Sequence, residues 1–132
     1  MTPFGQKLRD LRKARGLLLK DMAAALHVTP AYLSALEHGR RGRPSWRLVQ
    51  SIIGYFNVIW DEAEEIERLA RISHPKITID TSGLDPKATE LANRLAEEIA
   101  HLSGPEMEKL LAALPTRARR PKPAQRKSAK TR

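Results

Sequence analysis

The chain of 132 residues contains no cysteine. That excludes a disulfide scaffold, a thiolate metal site and a cysteine nucleophile. Aromatic residues make up 5% of the chain against 41% hydrophobic, so a core must be mainly aliphatic. No apolar run approaches the roughly 20 residues that span a bilayer. The opening residues, MTPFGQKLRD, lack the apolar stretch of a signal peptide. The expectation is a cytoplasmic protein with no membrane partner. No Gly-rich phosphate loop, GxSxG turn or HExxH pair occurs, and the four histidines (27, 38, 74, 101) are scattered. No catalytic residue, metal site or cofactor is therefore assigned, and an enzyme is not expected. Glu97 and Glu98 read as a solvated helix face.

Charge is abundant but unevenly distributed. The net +9 divides into +7 over residues 1–60, −6 over 61–115 and +8 over 116–132, where no acid occurs. A basic head and tail around an acidic middle point to separate tasks.

Apolar spacing predicts a helix from Thr2 or Pro3 to Arg15, with Phe4, Leu8 and Leu11 inward and Gly16 as its stop. A second helix is expected over Leu19–Leu26, burying Met22, Ala23 and Leu26. His27 and Val28 form a turn. Thr29 and Pro30 supply a cap and a first helical residue for a third helix, which ends near Glu37 and Gly39. The loop RRGRP follows, and Ser45 caps a fourth helix with Leu48, Val49, Ile52, Ile53 and Phe56 inward. A fifth is expected from Asp61, with Ala63, Ile66, Leu69 and Ala70 inward.

Lys76 to Asp80, KITID, reads as a short strand or an extended linker. A sixth helix is expected from Asp85 to Leu102, striped by Ala88, Leu91, Leu95, Ile99 and Leu102. A shorter one is expected over Glu106–Leu114, with Met107, Leu110, Leu111 and Leu114 inward. Residues 116–132 are basic and carry no large apolar side chain, so they are expected to be a disordered tail. The boundaries expected are 1–74, 75–115 and 116–132.

Two short helices joined by a tight turn, then a cationic loop, make a helix-turn-helix. Over Phe4 to about Val58 the chain resembles the Xre, or lambda-repressor-like, DNA-binding domains. The motifs that carry this are FGQKLRDLRKARGL, KDMAAALHVTPAYLSALEHG, the RP pair and the fourth helix ending FNV. The resemblance implies an all-α fold: a five-helix domain of this type, then a C-terminal helical segment and the tail. It also implies a structural ion pair between Arg12 and Glu37, a small-residue position at Ala24, an apolar turn residue at Val28, and core roles for Leu33 and Leu36.

The third helix is then the reading helix, with Thr29, Pro30, Ala31, Tyr32, Ser34 and Ala35 as candidate base contacts and His38 at the edge. Pro30 and Ala31 cannot hydrogen-bond base edges but can pack on a thymine methyl. DNA shape is therefore expected to contribute to recognition. Lys20, Arg40, Arg41, Arg43 and Arg47 are the candidate phosphate contacts. Trp46 is expected to pack beneath the loop, with contact to the DNA backbone as the second reading.

The function implied is a sequence-specific regulator of transcription on double-stranded DNA, most simply a repressor, associated with the nucleoid when bound. The acidic helices over 75–115 are expected to form a homodimer, KITID pairing with its own copy being one route; the other reading is that they pack on the N-terminal domain and complete its core. The alternative is an antitoxin-like interaction protein whose C-terminal region binds another protein. The tail is expected to act as a cationic arm on DNA.

Overall fold

The computed structural model describes residues 1–116. The expected basic tail lies, from residue 117 onward, outside the described residues. Those described form seven α-helices and one 3₁₀ turn, with no strand among them. They divide into two compact units, Met1–Ile77 and a second beginning at Thr78.

The first unit holds α1 (Pro3–Ala14), α2 (Leu19–Leu26), α3 (Pro30–Glu37), α4 (Trp46–Phe56) and α5 (Trp60–Arg71). Three helices start on side-chain caps: Thr2 accepts from Gly5 N–H, Thr29 from Tyr32 N–H and Ser45 from Leu48 N–H. Such caps satisfy amides that a helix start leaves without a partner. The ends of α1 to α4 share one device. Gly16, His27, Gly39 and Asn57 each adopt a positive φ, between 54° and 78°. The next residue's amide then reaches back five residues: Leu17 to Arg12, Val28 to Ala23, Arg40 to Ala35 and Val58 to Ile53, at 2.9–3.3 Å. This Schellman closure satisfies the last carbonyls and turns the chain sharply.

Those four turns let short helices wrap one core. Phe4, Leu8 and Leu11 of α1 meet Met22, Ala23, Leu33, Leu36, Val49, Ile52, Phe56, Val58, Ile66 and Ala70 there. Leu26, Leu48, Ile53, Ala63 and Leu69 are half-buried at its edge. The helix α5 begins at Trp60 rather than Asp61, one residue earlier than expected. Ala24, the small-residue position implied by the resemblance, is exposed, and Ala23 is buried as the apolar spacing predicts. Trp46, expected to pack, is also exposed.

Polar links close the unit. Buried Ser73, just past α5, accepts from Phe4 N–H at 2.9 Å and donates to the Leu69 carbonyl at 2.6 Å. The Arg15 guanidinium donates to the Phe56 carbonyl and lies over the Phe56 ring, 5.5 Å from its centroid. A cation there also suits the negative end of α4.

KITID is non-helical and unpaired as a strand, so the extended-linker reading holds for this chain. The second unit contains α6 (Pro86–Glu98), the 3₁₀ turn Ile99–His101 and α7 (Gly104–Ala113). The helix α6 is therefore shorter than the expected run to Leu102. Ser103 and Glu106 form a reciprocal capping box at the start of α7. These bonds hold the exposed Glu106 carboxyl below the usual carboxylate range. No residue described from Thr78 onward is buried. Met107, Leu110, Leu111 and Leu114, expected to face inward, are exposed, with no element among the described residues covering them.

Candidate nucleic-acid interface

The helix α3 is held from both ends. At its start Thr29 accepts the Tyr32 amide at 3.0 Å. Near its end Glu37, 2% exposed, sits within hydrogen-bond reach of Arg12 on α1. The Arg12 Nη2 donates to Glu37 Oε1 at 2.9 Å and Oε2 at 3.0 Å. Burial pushes the Glu37 carboxyl above the usual carboxylate range, with the Arg12 guanidinium pulling in the other direction. The Glu37 carbonyl also accepts Thr2 N–H at 3.0 Å. The N-terminus of α1 and the last turn of α3 are therefore joined by backbone, hydrogen bond and charge.

Gly5 permits that approach. A Cβ at Gly5 would lie 2.1 Å from the Glu37 carbonyl oxygen, far inside van der Waals contact. Neither Gly5 nor Ser73 was singled out from the sequence. A glycine at an otherwise apolar-periodic helix position was the available signal for the first. No local pattern marks the second, because the amide it accepts from, that of Phe4, lies 69 residues away in the chain.

The candidate contact residues fall into two groups. Lys20, Thr29, Pro30, Ala31, His38, Arg40, Arg41, Arg43 and Arg47 are exposed. Tyr32, Ser34 and Ala35 are half-buried. The Thr29 hydroxyl is engaged as the cap, and His38 Nδ1 lies 2.9 Å from the Ser34 carbonyl. The Arg41 guanidinium lies 5.5 Å from the Tyr32 ring centroid. This contact ties the cationic loop to the first turn of α3.

The Schellman turns show how the loop acquires its charge. After three of the four left-handed residues come Leu17, Val28 and Val58, which pack into or against the core. After Gly39 comes Arg40, which is exposed. The turn that elsewhere returns an apolar side chain to the interior here sends a guanidinium outward at the end of α3. Arg41, Arg43 and Arg47 extend that positive surface.

A helix-turn-helix is thus defined by α2, α3 and the three-residue link that begins at the left-handed His27. Residues 3–66 match a family model described as a helix-turn-helix domain. The chain is 34% identical over 61 residues to the uncharacterized HTH-type transcriptional regulator RghRB of Bacillus subtilis (strain 168). That match covers 46% of this chain and 44% of the relative. It is 41% identical over 63 residues to the HTH-type transcriptional regulator DdrOP3 of Deinococcus deserti, covering 47% and 48%. The matches span under half the length of either relative. No solved structure matches the chain.

Among the described residues no helix is long and apolar enough to cross a membrane. None of their His, Asp or Glu side chains gather in a group that could hold a metal ion.

Proposed function

We propose that this chain is a sequence-specific regulator of transcription that binds double-stranded DNA in the cytoplasm. In this reading α3 enters the major groove and the loop after it grips phosphates. The observation that carries it is the run of exposed arginines leaving the C-terminus of α3, with Arg41 seated over Tyr32. The relatives' printed names agree with it. Repression by covering the bound DNA is the simplest mode of action for so small a domain.

The active species in this reading is a homodimer formed through the second unit. Leu91 of α6 and Ile99 of the 3₁₀ turn that follows it are 62% and 49% exposed, and no described residue of their unit buries them. Isolated helices of this length are marginal in water without packing. Its charge is also self-complementary. Lys87 lies near one end and Glu97 and Glu98 near the other, so an antiparallel second copy sets opposite charges together.

Selection of bound duplexes from a random library tests the DNA reading. The intact chain is expected to enrich one motif. Joint replacement of Thr29, Tyr32 and Ser34 by Ala is expected to lose that motif while keeping low-salt affinity. An unchanged motif would remove α3 as the reader.

A further inference from the structure

Trp46 is 75% exposed at the first position of α4. Leaving so much of an indole in water forgoes the free energy of burying it, and nothing in the first unit covers it. Its backbone position is nonetheless fixed. Ser45 caps the helix at 3.1 Å, and buried Val49, Ile52 and Phe56 anchor α4 in the core. Side chains on a helix lean toward its N-terminal end, which for Trp46 is the side of the cationic loop.

The surroundings carry one sign of charge. Arg40, Arg41, Arg43 and Arg47 lie within six residues of Trp46 and are exposed. No Asp or Glu occurs between Glu37 and Asp61. An apolar protein surface seated on Trp46 would desolvate these guanidinium groups without supplying counter-charge. A nucleic-acid backbone offers phosphate oxygens to the arginines and apolar sugar faces to the ring.

We infer that Trp46 is a DNA-backbone contact, its ring packed on a deoxyribose and its Nε1–H donated to a phosphate oxygen. The indole nitrogen can only donate, which matches an acceptor-only phosphate. This inference rests on the reading of the first unit as DNA-binding and adds a residue to it. Backbone contacts fix the register of a protein on the duplex and carry no base information. The role of Trp46 is thus to position α3, not to choose the sequence.

The chain has two tryptophans, so Trp60→Phe leaves Trp46 as the only indole. Trp60 is itself 79% exposed, and the change should leave the fold intact. The probe is a dye-labelled mixed-sequence duplex of about three helical turns at low salt. Its anisotropy reports binding independently of the indole. The expected result is a change in Trp46 emission that follows the anisotropy, with reduced quenching by acrylamide at saturation.

In the otherwise unaltered chain, Trp46→Ala should weaken binding about fivefold to tenfold. The loss should be similar for selected and mixed sequences, and Trp46→Phe should recover part of it. Saturating anisotropy with unaltered Trp46 emission and quenching would overturn the inference while sparing the DNA reading. An emission change that follows protein concentration without DNA would overturn it in favour of a protein contact. No anisotropy change at low salt would overturn both readings.

Discussion

At the scale of single residues, the buried pair of Arg12 and Glu37 decides how firmly α3 is held. An ion pair removed from water gains from its partner but loses hydration, so its net value is small while breaking it is costly. The Glu37 carboxyl shows this balance: burial raises its pKa, and Arg12, then Arg9 and His38, act against the rise. Arg12 uses only Nη2, and its Nε–H has no hydrogen-bond partner among the described residues. A carboxyl whose native pKa is raised binds its proton more tightly folded than unfolded. Between the raised value and the ordinary 4.5, the native state therefore holds more protons. The contribution of Glu37 to stability grows as pH falls through that window and is lost as pH rises through the native pKa. Glu37→Gln removes this titration. Urea midpoints at neutral and mildly acidic pH are expected to show the unaltered chain gaining on the Glu37→Gln variant as pH falls. A constant difference would mean that Glu37 titrates normally.

At the scale of elements, the junction of α1 with α3 depends on a missing side chain. Gly5 lies inside a helix, where Ala is ordinarily preferred by about 1 kcal/mol. Its neighbour is the Glu37 backbone, which cannot rotate aside as a flexible side chain could. Gly5→Ala is expected to destabilise the first unit by about 2 kcal/mol or more, the usual scale of overpacking. Gly54, inside α4, meets nothing within 4 Å of a built Cβ. Gly54→Ala should therefore stabilise by about 0.5–1 kcal/mol. Denaturant unfolding of the two variants should give opposite signs, and equal signs would refute the packing argument. The contrast marks what a sequence can disclose. Helices α2 and α3 are legible to the residue, because Thr29, Pro30 and Gly39 punctuate them and their apolar spacing is regular. The resemblance implies the Arg12–Glu37 link between α1 and α3, but the Gly5 contact with the Glu37 backbone is not legible, since it joins residues 32 apart. Nor is the exposure of Trp46: an aromatic at a helix start reads equally well as core, and only the edge of the packed interior separates the cases. The break of α6 after Glu98 was missed because the apolar stripe continues through Ile99 and Leu102.

At the scale of the whole molecule, a packed unit is joined in sequence to one in which no described residue is fully buried. One helix-turn-helix covers only a half-site, and two-fold pairs place their reading helices roughly 34 Å apart. Pairing through α6 would join two such domains without demanding any surface of the first unit. Leu91→Glu with Leu95→Glu should abolish that pairing by placing like charges on the shared stripe. These positions lie outside the first unit, so its thermal unfolding should be unchanged. Sedimentation is expected to show a dimer for the unaltered chain and a monomer for the double variant. Binding to a selected two-fold site should then weaken by roughly 100-fold or more, because the second half-site no longer benefits from tethering. Affinity for an isolated half-site should barely change, since each domain keeps its own contacts. A monomeric mass for the unaltered chain at saturating DNA would rule out the pairing. A stoichiometric second protein bound to the unaltered chain and lost from the double variant would instead assign the α6 stripe to a different partner.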